Sequence, residues 1–506
     1  MVTARSNWLT ERGAGILLHP TSLPSSEGIG VLGAEAESFI DFLAEAEVLY
    51  WQLLPLGPTG YGNSPYQSFS AFAGNPYLIC LEELAHHGLL SEADLGSVRS
   101  LRSSRVDFGS LYQVKWPILR HAFRQFIQSG RAYVPNYGMY DEFKSKHGDW
   151  LIPYARFMAL KDKFGGRQWS SWPEPFRSAK VPKAEWQHPK LAEVIEFHCF
   201  VQYIFFGQWL KLRQHAQRKG VQIVGDMPIF VAMDSADVWA NRKDFEIDDA
   251  GNPRRVAGVP PDYFAEDGQL WGNPLYDWDR LAETGYRWWL KRFDLNFTLF
   301  DIIRIDHFRG FQAYWEIPAD AATAKSGRWR AGPGMDLFNA VFKALPEARI
   351  IAEDLGDIDD AVHQLREDTG FPGMAVLQFA FDGDNKNLYL PHNLNTNSVL
   401  YTGTHDNDTT LGWYESASTE VQDQLRRYFR ISGDDISWDF IRAAYSSTSR
   451  MCIVPMQDLL SLDARSRMNR PGTSQGNWEW RMTNEEFNWQ TESAGYLAEL
   501  AWLYDR

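Results

Sequence analysis

The chain has 506 residues, a net charge of −15, 21 Trp, 21 Tyr and three cysteines. Its length fits one α/β barrel enlarged by insertions, and its acidic balance argues against nucleic acid and anionic membranes, which attract excess Lys and Arg. Cys80, Cys199 and Cys452 lie far apart and in no metal-ligand spacing, so a reducing cytoplasm is the expected compartment. No apolar run near the start has signal-peptide length. The most apolar long stretch, 194–212, carries Glu196, His198, Gln202, Gln208 and Lys211, which suits a packed helix and not a membrane span. The abundance of flat aromatic rings in a polar chain tilts the expected ligand toward carbohydrate.

In chain order, 14–18 reads as a strand closed by His19-Pro20, and 34–48 as a helix with Phe39, Leu43 and Ala46 on one face. A second strand, 50–56, empties into a Gly/Pro-stiffened loop that displays Tyr61, Tyr66 and Phe69. From 81 to about 190 the strand rhythm stops and helical periodicity takes over, which predicts a mostly helical insertion between the second and third barrel strands. A long helix, 191–219, leads into a third strand, 221–230, that carries Asp226. The region 232–300 then reads as a loop and helical insertion, with a Pro/Gly/aromatic stretch through Pro260, Asp262 and Trp271 as a candidate active-site lid. Further apolar runs end at Asp306, at Glu353, near Phe381, at His405-Asp406 and at Asp458. These make eight strand candidates, most of them separated by helices, the rhythm of a single (β/α)8 TIM barrel over 1–506 with helical and loop insertions at its C-terminal face.

In such a barrel the C-terminal strand ends share one face, so Asp226, Asp306, Glu353 and the His405-Asp406 pair should converge. Arg304 lies two positions before Asp306, on the same side of the strand, where it can keep that carboxylate ionised. Taken alone, the pair also reads as a structural ion pair. Carboxylates with His could ligate a divalent ion, but Arg304 and the Tyr- and Trp-rich loops suit a glycan better. Glycosyl transfer needs one ionised and one protonated carboxyl. Asp306 fits the first role. Glu353, at the end of an apolar strand amid other acids, fits the second, because burial and like charge raise a carboxyl pKa. Asp406 would grip sugar hydroxyls and hold a distorted ring.

Arg304-Ile305-Asp306-His307-Phe308-Arg309-Gly310, Ala352-Glu353-Asp354-Leu355-Gly356 and Thr402-Gly403-Thr404-His405-Asp406-Asn407-Asp408 resemble the catalytic motifs of the 4-alpha-glucanotransferases, or amylomaltases. The similarity extends from His19-Pro20-Thr21-Ser22 through Gly225-Asp226-Met227-Pro228 to Gly476-Asn477-Trp478-Glu479-Trp480-Arg481, and so covers nearly the whole chain. The resemblance implies an α-amylase-like retaining barrel with Asp306 as nucleophile, Glu353 as acid/base and Asp406 as transition-state stabiliser. It further implies sugar contacts from Tyr66, Asp226, Trp271, Arg304, His307 and His405, an extra glucan-binding patch near Tyr61, and a mobile loop around Pro260 to Phe264 that includes Asp262. Neither cofactor nor metal is implied, the partners are α-1,4-glucans, and no N-terminal starch-binding module is expected. The three acids would equally serve an α-glucan hydrolase, since only the acceptor that resolves the covalent intermediate differs. A non-catalytic glycan-binding protein would have no need of all three.

Overall fold

The computed structural model describes residues 7–60, 62–101, 104–261, 266–488 and 490–506. The strands among them, in chain order, are β1 (Gly13–Leu17), β2 (Tyr50–Gln52), β3 (Gln222–Pro228), β4 (Arg255–Val259), β5 (Gln269–Pro274), β6 (Ile302–Asp306), β7 (Ala313–Pro318), β8 (Arg328–Ala331), β9 (Ile350–Ala352), β10 (Gly373–Val376), β11 (Ser398–Tyr401) and β12 (Met451–Pro455). Eight of these pair side by side, all parallel, in the order β10-β11-β12-β1-β2-β3-β6-β9. The Ala352 N–H donates to the Pro372 carbonyl at 2.9 Å across the remaining seam, between β9 and β10, and the sheet thereby curls into a barrel. The fold is the α/β barrel anticipated from the strand rhythm.

Burial on both faces explains why these strands are nearly continuous in apolar residues. Ile302, Ile303, Ile305, Ile350, Ile351 and Ala352 are all fully buried, and Arg304 is the charged exception at 4% exposure. Two apolar runs are shorter as strands than the sequence suggests. The pairing of β2 stops at Gln52, before Pro55, and β10 gives way at Leu377–Ala380 to a 3-10 turn. Proline cannot donate to a ladder, and apolar content alone does not separate a strand from the buried turn that follows it.

The helices Phe108–Gln128 and Tyr140–Lys163 lie between β2 and β3. The helix Pro189–Arg218 joins them to the barrel. Proline at its first turn removes no needed donor, and Gly220 beyond its end takes φ 76, where only glycine is free of strain. Buried rings of this helix, among them Phe197, Phe200, Tyr203 and Trp209, pack toward both neighbours. Gln202 and Gln208 each clamp the backbone of one loop residue, Gly74 and Cys80, by accepting from its N–H and donating to its carbonyl.

A second sheet stands on the catalytic face. It is antiparallel, in the order β5-β4-β7-β8, and draws two strands from the segment after β3 and two from the connection after β6. The sequence reading gave loops and helices here. β5 and β8 are mostly exposed and β4 holds a glycine at a register shift, so none shows the alternation of a half-buried strand. Glu316 on β7 is completely buried and binds Arg328 at 2.6 Å, Arg330 at 3.3 Å and Arg255 at 3.4 Å, tying β4, β7 and β8 together.

Candidate active site

The site begins with register. Asp226 of β3 lies opposite Arg304 of β6, and Ile305 of β6 opposite Ala352 of β9, so the acids that follow are brought to adjacent strand ends. Nη1 of Arg304 donates to both oxygens of Asp226, at 2.8 and 2.7 Å, and to Oδ1 of Asp306 at 3.2 Å. The guanidinium is therefore shared, and its nearer partner is Asp226, not the carboxylate two residues on. Burial alone would lower the Arg304 pKa, but the charges of Asp226 and Asp306 carry it well above its ordinary value, and it stays protonated. Tyr66 reaches in from the loop after β2 and donates its hydroxyl to Asp226 Oδ2 at 2.7 Å. Burial raises the pKa of the Asp226 carboxyl, and Arg304 opposes that rise.

Asp306 remains open, with 29% of its side chain exposed. Glu353 is also partly exposed, and its setting differs in charge and hydrogen bonding. Its carboxyl is pushed up to about 7, chiefly by burial and further by the charge of Asp306, while Arg304 and two backbone donors work the other way. Those donors are the N–H groups of His307, at 2.6 Å to Oε2, and Leu355, at 3.0 Å to Oε1, and they fix the carboxyl plane. His307 adopts a left-handed backbone, φ 54 and ψ 50. That conformation costs a non-glycine residue about 1–3 kcal/mol and is tolerated where surrounding structure holds it, as the bond to Glu353 does here. Gly310 allows the turn to close, since a Cβ there would lie 2.7 Å from Ile229 and 3.1 Å from the His307 ring.

Asp406 sits on the loop after β11, half exposed, with Oδ1 accepting from Asn469 Nδ2 at 2.6 Å and its backbone carbonyl accepting from Arg467 at 2.6 Å. The His405 Nε2 lies 3.4 Å from the same Oδ1. The His405 ring stacks on Tyr66 with centroids 5.1 Å apart, and Trp478 meets both rings at 5.9 Å. His307 is partly buried, and desolvation pushes its pKa down to about 4, so its ring is neutral, and the indole of Trp271 from β5 meets it edge-on at 4.9 Å. Tyr66, Asp226, Arg304, Asp306 and His405 are thus linked by direct contacts, Glu353 and His307 join them through the backbone, and Trp271 closes one side. Tyr61 and Asp262 lie outside the described residues.

Asn469, Arg467 and Trp478 were not assigned roles from sequence. They lie in the irregular stretch after β12, where the sequence offers only a polar, Pro/Gly-rich run and, for Trp478, a place in the 476–481 stretch that resembles the family. Among the described residues no three His, Cys, Asp or Glu side chains are grouped as a metal ion would need.

A parallel barrel whose adjacent strand ends carry a carboxylate beside a fixed cation and a second carboxyl with an elevated pKa has the form of a barrel enzyme acting on glycosidic bonds. The chain belongs to the 4-alpha-glucanotransferase family, whose profile matches residues 18–486. It is 48% identical over 485 residues to the 4-alpha-glucanotransferase of Thermus thermophilus, across 94% of this chain and 96% of that one. It is 45% identical over 505 residues to the 4-alpha-glucanotransferase of Streptococcus pneumoniae, across 98% of both. The structure superposes on the amylomaltase from Streptococcus agalactiae in complex with acarbose with a TM-score of 0.93, at 39% identity, covering 98% of this chain and 100% of that one.

Proposed function

We propose that the chain is a 4-alpha-glucanotransferase in which Asp306 is the nucleophile, Glu353 the general acid and base, and Asp406 the transition-state stabiliser. The contrast between Asp306 and Glu353 on neighbouring strands carries the reading: the first lies beside a fixed cation, and the second has its pKa pushed up to about 7 by desolvation and by the charge of Asp306. In the first step the Asp306 carboxylate bonds to the anomeric carbon of an α-1,4-glucan as Glu353 gives its proton to the departing 4-oxygen. In the second, Glu353 takes the proton of an incoming 4-hydroxyl, and that oxygen displaces Asp306. Asp406, anchored by Asn469, would bind hydroxyls of the reacting ring. Tyr66, Trp271, His307 and His405 would line the sugar site with Asp226 and Arg304. Tyr61 and Asp262 are proposed contacts on the resemblance alone.

Family membership favours transfer over hydrolysis, the alternative that shares all three acids. We read the chain as one catalytic barrel, with 81–190 inserted beside it and 232–300 carrying the lid. A cytoplasmic location is supported by three free cysteines and by the lack, among the described residues, of a helix long and apolar enough to cross a membrane. Trapping with a slow fluorinated maltosyl donor tests the roles: mass spectrometry should place the sugar on Asp306, and Asp306→Asn should bind glucan but form no adduct. Label on another carboxylate would overturn the assignment.

A further inference from the structure

A second cleft, about 300 Å³ in volume, opens between the helix Tyr140–Lys163, the helix Arg287–Leu299 and the segment 236–241. It falls at the lower end of the roughly 300–1,000 Å³ typical of small-molecule sites. Its floor is aromatic. Phe72 and Trp150 lie nearly parallel with centroids 6.4 Å apart, and Trp288 meets Phe72 edge-on at 5.7 Å. Phe72 and Trp288 are buried, whereas Trp150 is partly exposed and also meets Phe206 at 5.5 Å with the rings tilted by 33°. The Trp150 Nε1 donates to Nδ1 of His147 at 3.3 Å, which fixes the indole and leaves Nε2 as the protonated nitrogen of the imidazole. Burial, together with Lys146, pushes His147 down to about 4, so the ring is neutral at physiological pH.

The rim carries both signs of charge. Lys146, Asp149, Lys291 and Asp294 are exposed around the cleft, and Lys291 pairs with Asp149 between the two helices. A phosphate or carboxylate ligand would meet two aspartates, and a cation would meet two lysines. A neutral polyhydroxyl ligand can use all four, and the Thr298 and Asn241 side-chain oxygens add acceptors, since the Thr298 hydroxyl and the Asn241 amide nitrogen already donate to the Asp294 and Asp237 carbonyls. A partly exposed indole at a cleft whose rim both donates and accepts is chemistry that suits a pyranose. The cleft also backs onto the loop that delivers Tyr66: Ser70 and Phe72 line it, the Ala71 N–H donates to Asp237 Oδ2 at 2.8 Å, and the Ala236 N–H donates to the Phe69 carbonyl at 2.8 Å.

We propose that this cleft is an accessory, non-catalytic site for a short stretch of α-glucan, held against the exposed part of Trp150, that tethers long chains to the enzyme. The inference rests on the glucan-transferring function proposed above. Calorimetric titration of Asp306→Asn protein with maltotetraose gives a stoichiometry, and adding Trp150→Ala should remove one site from it. Asp294→Ala, an exposed change that spares the aromatic floor, should leave the count unchanged and weaken one site about three-fold, the scale of one polar contact. On the otherwise unmodified enzyme, both substitutions should leave kcat/KM for maltotriose within about two-fold, because the catalytic acids are untouched. Unchanged stoichiometry and affinities in folded variants of both kinds would overturn the accessory site while leaving the transferase reading intact. A collapse of maltotriose turnover in folded variants would overturn its non-catalytic character. Should the unmodified enzyme neither bind nor rearrange maltooligosaccharides, the functional reading falls, and the inference with it.

Discussion

Asp306 and Glu353 share a cation, a face and a polarity, yet their environments separate their chemistry. Burial is the larger cause of the high Glu353 pKa, with the Asp306 charge adding to it, so activity that needs protonated Glu353 should fall as pH rises through about 7. The sign follows from the proposed role, in which the first step consumes the Glu353 proton. Glu353→Gln should abolish that alkaline limb and lower kcat on maltotriose by about 10²–10⁴-fold, while a maltosyl fluoride, whose leaving group needs little protonation, should still glycosylate the enzyme with release of fluoride. Equal loss in the first step with both donors would count against Glu353 as the acid. Asp406 depends on a residue the sequence did not flag. Asn469→Ala removes the 2.6 Å bond to its Oδ1 and should cut kcat by about 10–100-fold at nearly unchanged stability, as loss of an outer partner does at other preorganised sites. Full activity in Asn469→Ala would show that Arg467 and the backbone suffice.

The strands explain which parts of the molecule could be read from sequence. The barrel strands were legible because burial on both faces writes a continuous apolar run, and the acids stood out as the charges that end those runs. Arg304 and Asp306 were legible as a pair, but the nearer bond from Arg304 to Asp226 depends on the register of β3 against β6, which no local pattern encodes. The β4, β5, β7 and β8 sheet was invisible for the complementary reason: its exposed strands bury little, and part of its order comes from charge. Burial alone would raise the Glu316 pKa, but hydrogen bonds from Arg328 and Arg330 and the charge of Arg255 hold it below the ordinary value, so the cluster stabilises above that value and is lost as pH falls through the folded pKa. Glu316→Gln should cost about 1–3 kcal/mol near neutral pH, less than a fully buried pair because the three guanidinium groups are partly solvated, and the deficit should shrink in acid. Thermal unfolding of the two proteins at neutral and acid pH measures it. A deficit independent of pH would mean that packing, not charge, holds the sheet.

At the scale of the whole molecule the question is which oxygen reaches the glycosyl intermediate first. The three acids in their proposed roles are indifferent to this, because water and a glucan hydroxyl would present the same proton to Glu353. What differs is occupancy of the face above them, where the second sheet carries Trp271 against His307, and Tyr66 stacks on His405. An acceptor glucan packed on those rings displaces water from the leaving-group side for as long as the intermediate lives, and transfer then outruns hydrolysis. On maltotriose alone the enzyme should therefore release glucose and build a ladder of longer α-1,4-glucans, while total reducing ends stay nearly constant, since each bond broken is replaced by one formed. Trp271→Ala should leave cleavage in place but raise the share of intermediates lost to water, seen as reducing ends that climb while the ladder shortens. Reducing ends that rise in step with maltotriose loss in the unmodified enzyme, with no product longer than the substrate, would mean that the enclosed face fails to hold an acceptor and that the barrel works as a hydrolase.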